Sequence, residues 1–418
     1  MRTILIYKIK IIIYFFKNME STLNRHKKKD SLNCVNNFIS RLNKKLVTCS
    51  KTSMKIACSA MSAILDKNKE LISKFGEDGL PDDLPMLRAY IWKILLNYLP
   101  EDPKQWEQTL NEKRTQYNNY KKFIEQKLEN EVKEKKYKSR DTLEQIIKDV
   151  YRTNTQIAFF FEPTKNKNVG NKDEFIKMFE RRKNCTFNNI DEIYYNEKDN
   201  EIHADVLKRI LFIYTVFCPD ISYHQGMNEL LAPIYYCYSY DKTYTEETEE
   251  NIEADSFWSF HYLMTKVSQS FVSANDKGLE IKSFIFQKCL EYVDEEIYKN
   301  LQRCNIRNEY YCYKWFILLF SQEFEINDLL KLWDLIFSHE DKYYYVVYIG
   351  IAILKMKKDI ILNGEMVDVM QALQNFQDIN IIELIKKAKE INNEHKEELD
   401  EFILKCTKID DEKEKKDD

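Results

Sequence analysis

In this chain of 418 residues, two short polar stretches beside apolar helices hold the residues best placed to do chemistry. They stand 73 positions apart (225 minus 152). The first is Ile146-Ile147-Lys148-Asp149-Val150-Tyr151-Arg152-Thr153. On a helix, Asp149 and Arg152 stand at i,i+3 and can pair on one face. Taken alone, that spacing describes an ordinary surface ion pair. The second stretch is Ser222-Tyr223-His224-Gln225-Gly226-Met227-Asn228. A glutamine before a glycine at a helix start is, by itself, an ordinary turn. The chain contains no GxxxxGK[ST], GxGxxG, HExxH or GxSxG pattern, which argues against an autonomous kinase, ATPase, zinc hydrolase or dehydrogenase. Ten cysteines are scattered without a CxxC pair and six histidines are isolated from one another, so no metal set is expected. The cysteines read as reduced and mostly buried, as in a cytoplasmic protein.

The elements that must position these residues read as helices. Glycine and proline number only seven each, too few for the turns of a β-rich or Rossmann-type fold, and no proline follows Pro233. With 44% hydrophobic and 13% aromatic residues, the chain is expected to be globular and all-α, with one large core or two moderate ones. The turn Gly79-Leu80-Pro81-Asp82-Asp83 offers capping carboxylates before Pro85. Leu87, Ile91, Ile94, Leu95 and Tyr98 then fall at helical spacing until Pro100 and Pro103. Residues 105–138 predict a charged helix with a mostly solvated face, and a third helix from near Leu143 carries Ile146, Ile147 and Val150. Residues 164–200, rich in Asn and Lys, read as a loop or insertion. Periodicity returns from Val206 to Phe217, Pro219 stops it, and a further helix is expected from Gln225-Gly226-Met227 through Tyr238.

The acidic, Thr-rich stretch 239–253 is the expected break between two lobes. Beyond it, three stripes predict core-facing helices. They are Phe257/Trp258/His261/Met264, Cys312/Trp315/Phe316/Leu319/Phe320 and Leu329/Leu332/Trp333/Ile336. The uncharged run 343–354 is too short for a bilayer and predicts a buried helix. Residues 386–418 read as a charged tail.

Charge is uneven along the chain. Residues 1–55 hold 13 Lys/Arg against Glu20 and Asp30, a balance of +11, leaving −15 for the rest (−4 minus 11). Such an arm suits a membrane surface or a partner, and equally a solvated tail. Residues 3–16 are very apolar, but their longest uncharged run, Ile11 to Phe16, falls far short of the roughly 20 residues a spanning helix needs. No small-residue cleavage site follows, and Met19 is an alternative start. Residues 1–75 are thus expected to be a basic, partly disordered leader.

In this order, the two polar stretches resemble the signature motifs of the TBC family of Rab GTPase-activating proteins. IxxDxxR matches at Ile146, Asp149 and Arg152, and YQGM at Gln225, Gly226 and Met227, with His224 in the tyrosine's place. Gly79-Leu80-Pro81 with Arg88 and Trp92 is similar to the family's opening block. Trp315, Gln322-Glu323-Phe324 and Leu332-Trp333-Asp334 are similar to its later W…REF…LWD block. The wording resembles most a compact subgroup with little besides the domain, placed here at 76–385.

The resemblance implies a two-lobed, all-helical domain that stimulates GTP hydrolysis by a Rab-family small GTPase and so regulates vesicle traffic. Arg152 would neutralise charge on the transferred phosphoryl group, and Gln225 would orient the attacking water. Asp149, Gly226, Met227, Arg88 and Trp92 would support them. The chain would be a catalytic activator rather than an autonomous enzyme, without a metal or cofactor of its own, since GTP and Mg²⁺ belong to the partner. Nucleic acid is not an expected partner. The expected location is cytoplasmic, peripheral to endomembranes through residues 1–55. The rival readings are a non-catalytic GTPase-binding TBC protein and a membrane-tethered adaptor. His224 and Gln322 depart from the family pattern; the first reads as filling space and the second puts a structural contact in doubt.

Overall fold

The computed structural model describes residues 38–42, 49–134, 138–153, 157–164, 201–240, 248–268 and 277–417. The apolar start, most of the basic arm and the 165–200 part of the expected insertion lie outside the described residues. Every regular element described is helical, apart from one antiparallel bridge between Pro163 and Ile202. The helices fall into two compact units. The first holds 80–263 with the described residues before 76, and the second holds 76–79 and 264 onward.

The first unit begins earlier than sequence periodicity indicates. Helix α1 (Lys51–Leu65) starts at Ser50, whose side chain accepts the Ser53 N–H at 3.0 Å, and α2 follows over Lys69–Asp78. The buried side of α1 is built from Met54, Ala57, Ala60, Met61 and Ile64. Three- and four-residue spacing is present, but alanines occupy part of it, so a search for large apolar residues reads the segment as a polar leader. The leader reading therefore fails for 51–75. Helices α3 (Pro85–Leu95), α4 (Trp106–Lys133) and α5 (Arg140–Arg152) come next. On α4 only a narrow line is buried (Trp106, Leu110, Tyr117, Ile124, Leu128), which leaves the solvated face expected of it. Helices α6 (His203–Phe217) and α7 (Met227–Ser239) complete the frame around α5.

Helix α8 (Glu249–Val267) corrects the expected lobe break at 239–253. It runs unbroken through the second part of that stretch, and the two units divide between Leu263 and Met264, inside the helix. Its first half carries two buried carboxylates that gather cations from other helices. Asp255 accepts Lys93 Nζ at 2.6 Å, Tyr98 Oη at 2.7 Å, and Arg114 Nε and Nη2 at 2.9 and 2.8 Å. Glu253 accepts Arg209 Nε and Nη2 at 2.7 and 2.6 Å and Tyr117 Oη at 2.6 Å, while Arg209 Nη1 reaches Glu201 at 2.7 Å. The buried charges are thus paired and hydrogen-bonded, which is what makes their burial tolerable. They tie α3, α4, α6 and α8 together.

The second unit contains α9 (Lys277–Val293), α10 (Glu295–Arg303), α11 (Cys312–Leu318), α12 (Ile326–Ser338), α13 (Tyr344–Met356), α14 (Lys358–Asn363), α15 (Met366–Gln374) and α16 (Ile381–Asp417). As its uncharged sequence predicts, α13 is buried along its length. The stripe expected to continue through Phe320 stops at Leu318, because Leu319 and Phe320 adopt φ of 49° and 63°. Their side chains are buried and Trp333 Nε1 donates to the Leu319 carbonyl at 2.8 Å, so packing holds a turn that the residue types disfavour. The expected tail is also corrected up to Leu399: α16 buries Leu384, Ala388, Ile391 and Leu399, with one non-helical residue at His395. Among the described residues, no helix is long and apolar enough to cross a membrane.

Candidate functional site

Helix α5 owes its orientation to Leu143, Ile146 and Val150, which are buried at i, i+3 and i+7. Each stabilises the fold by about 1.5–3 kcal/mol relative to exposure. Asp149 lies on the same inward side, whereas Arg152, the last helical residue, is exposed. A cation in the final turn complements the helix dipole. The chain leaves the helix at once. Thr153 is extended, its N–H donates to the Asp149 and Val150 carbonyls (3.0 and 3.1 Å), and its hydroxyl donates to the Asp149 carbonyl at 2.9 Å.

Gln225 sits at the far end of a different connection. After Phe217 the Cys218 carbonyl accepts the N–H groups of Ile221 and Ser222, both at 3.2 Å, and Ser222 takes φ 58°. Tyr223 turns inward, Gln225 is exposed, and Gly226 precedes α7 with φ 105°. Only glycine holds that backbone without strain, which gives the Gln-Gly pair its physical reason. Met227 is fully buried and anchors the start of α7.

The two segments meet through polar side chains. The Tyr223 hydroxyl donates to Asp149 Oδ2 at 3.0 Å. Asn228, on the first turn of α7, accepts the Gly226 N–H on Oδ1 at 3.0 Å. Its Nδ2 donates to Thr153 Oγ1 and lies 3.4 Å from the Asp149 carbonyl. Among the described residues, the Asp149 carboxylate therefore takes Tyr223 as its partner, rather than the i,i+3 ion pair with Arg152 that its spacing allows. Burial raises the Asp149 pKa above the usual value, and the Tyr223 hydrogen bond and the charges of Arg152 and Lys148 oppose that rise. Burial, with the Asp149 charge beside it, pushes the Tyr223 phenol up, so it remains a donor. Next to Arg152, Tyr151 receives Lys208 Nζ at 3.2 Å, and Lys208 is fixed to Asp205 at 2.6 Å.

Two of the residues singled out from sequence stand elsewhere. Arg88 is buried and donates to the Leu80 carbonyl (2.8 Å) and to Asp82 (2.9 Å), so it fastens the turn before α3. Trp92 is fully buried on that helix. In the second unit Gln322 is exposed, while the Glu323 side chain is buried with Lys314 at 3.2 Å and Trp315, Trp333 and Asp334 lie in the core. Sequence reasoning assigned nothing to Tyr223, Asn228 and Thr153. The available signal was an amide two places after a glycine that opens a helix, a position where side chains cap backbone donors. The paired Glu253 and Asp255 left no signal, since their partners are 44 to 162 positions away.

The arrangement exposes a guanidinium and a carboxamide from backbones anchored by buried polar contacts. Among the described residues, no group of three or more His, Cys, Asp or Glu could hold a metal ion. An exposed guanidinium and an exposed carboxamide can neutralise charge and orient groups on an incoming molecule.

A family model described as the Rab-GTPase-TBC domain matches residues 162–362, a span that contains Gln225 and begins after Arg152. The human TBC1 domain family member 13 is 28% identical over 361 residues, covering 73% of this chain and 90% of its own length. GTPase-activating protein gyp7 of Schizosaccharomyces pombe is 25% identical over 285 residues, 67% of this chain and 33% of its own. Among solved structures, the Ypt/Rab-GAP domain of Gyp1p superposes with a TM-score of 0.59 at 19% identity, covering 78% of this chain and 91% of that one, which supports the fold alone.

Proposed function

The chain belongs to the TBC-domain family, and from that premise we propose that it accelerates GTP hydrolysis by a Rab-family small GTPase. In this reading Arg152 enters the partner's nucleotide site and spreads its two-pronged guanidinium over the phosphoryl oxygens as charge develops there. The Gln225 carboxamide aligns the attacking water. The partner brings GTP and Mg²⁺ as substrate. No covalent bond forms to this chain, so rate comes from placement and electrostatics.

The observation that carries the proposal is that Arg152 and Gln225 are both exposed while their backbones run into the same buried contacts, among Asp149, Thr153, Tyr223 and Asn228. A pair of residues serving one phosphate needs that combination: free tips on fixed bases. The test is single-turnover GTP hydrolysis by a panel of Rab proteins, with the wild-type chain and Arg152→Ala in parallel. Acceleration by the wild type that the variant loses supports both the activity and the arginine's part. Gln225→Ala should lose acceleration while still binding the same GTPase. A folded Arg152→Ala protein with full activity would defeat the assignment.

A further inference from the structure

We infer that Asn228 is a positioning residue that sets the backbones bearing Arg152 and Gln225 at one fixed offset; this rests on the proposed roles of those two side chains.

The N–H that Asn228 accepts at 3.0 Å belongs to the peptide bond joining Gln225 to Gly226, so this bond fixes the plane from which the Gln225 side chain departs. Its Nδ2 has two hydrogens. One goes to Thr153 Oγ1, the residue directly after Arg152, and the other faces the Asp149 carbonyl at 3.4 Å and Glu229 Oε1 at 3.3 Å. One planar amide therefore touches the chain within one residue of each exposed side chain.

The site keeps water from substituting for it. Asn228 is 3% exposed, and Asp149, Thr153 and Tyr223 are buried around it. Removing the amide strands a buried N–H at Gly226 and takes away the donor to Thr153 Oγ1, whose own hydrogen still goes to the Asp149 carbonyl. A second strut runs beside it, from Tyr223 in the Gln225 connection to Asp149 on α5, with the Tyr223 hydrogen given to Asp149 at 3.0 Å in preference to Asn228 Oδ1 at 3.4 Å.

Position separates this role from general support. Along α5 and α7 the apolar side chains Ile146, Val150, Leu230 and Leu231 are buried, so the seating of the helices does not rest on Asn228 alone. The amide sits instead at the C-terminal end of α5 and the N-terminal end of α7, where helices fray and where both exposed side chains leave. Its loss should move tips rather than helices, and a displacement of about 1 Å at a reacting group costs on the order of 100-fold in rate.

The test combines kinetics with hydrogen–deuterium exchange on the full chain. With the Rab that the wild type accelerates best, Asn228→Ala should lower the saturated rate on the order of 100-fold and leave the half-saturating concentration within about threefold. Placed on Arg152→Ala it should add little, because the tip it positions is gone. Exchange should quicken in 149–153 and in 224–228 together. Thr153→Ala cuts only the α5 side of the contact and should give the same pattern to a lesser degree; it decides the matter where Asn228→Ala does not fold. Quickened exchange confined to 224–228, or a saturated rate within about threefold of wild type, would overturn the inference. Should the wild type accelerate no GTPase, the activating role fails, and the exchange pattern alone decides whether Asn228 locks the two segments.

Discussion

In the first unit, two carboxylates on α8 collect cations from three other helices. In the second, rings fill the same structural role, with Phe286 set edge-on to Tyr311, Trp315 and Phe316 at 6.1–6.3 Å beside Gly350 of α13. The two solutions fix different things. Apolar packing fixes volume and tolerates sliding, since its attraction has no direction. A charge-assisted hydrogen bond fixes the rotation and register of the helix that bears it. The unit with the stronger directional ties is the one that exposes Arg152 and Gln225, and the roles proposed for those side chains would need placement to within about an ångström.

The largest expected effect is on rate. Arg152→Ala should lower stimulated GTP hydrolysis by about 10³–10⁵-fold while changing the unfolding free energy, measured by chemical denaturation, by no more than about 0.5 kcal/mol, since the side chain is exposed at a helix end. A large loss of stability alongside the loss of rate would mean that the arginine belongs to the frame.

Next comes the frame itself. Asp255→Ala leaves Lys93 and Arg114 without their carboxylate in the core and should cost about 3–5 kcal/mol by chemical denaturation. Acid reaches the same contacts reversibly. Glu253 and Asp255 are held down to about 2 from 4.5 and 3.8, mainly by Arg209 and by Lys93 with Arg114, against the opposing effect of burial. Folded-state values below the unfolded ones contribute stability that is complete above about pH 4.5 and is lost as pH falls toward 2. In the second unit the Glu323 carboxyl is instead raised by burial, so its ionisation costs stability as pH rises. Exchange measured from pH 5 to 2 should therefore open the first unit before the second. Simultaneous opening would erase the distinction.

How much was legible follows from the same contrast. Apolar stripes such as Leu143/Ile146/Val150 and the uncharged run in α13 announced their helices, because burial writes a period into the sequence. Arg152 and Gln225 stood out in the sequence through their family resemblance, and the structure exposes both at the ends of segments joined by Tyr223–Asp149 and Asn228–Thr153 contacts. Helix α1 was not, because its buried side relies on alanines, and the unit boundary was not, because it falls inside an unbroken helix. Asn228 was marked only by its place two residues after the glycine that opens α7, and Asp255 was silent, because a polar side chain carries no mark of a distant partner that folding brings to it.

The smallest effect tests the apolar side. A Cβ on Gly350 would lie 2.7 Å from Phe286 Cε2 and 3.2 Å from Trp315 Cζ3, and both rings are buried. Overpacking of this kind costs about 1–3 kcal/mol. Alanine in mid-helix returns about 1 kcal/mol through backbone entropy, so Gly350→Ala should lose roughly 0–2 kcal/mol of stability. Phe286 cannot tip away cheaply, because Tyr311, Trp315 and Phe316 meet it edge to face. The loss should appear in exchange across α9, α11 and α13 and leave 149–153 and 224–228 as protected as before. A gain in stability would show the ring cluster to be loosely filled, and quickened exchange at the Gln225 turn would show that packing in the second unit also sets the exposed pair.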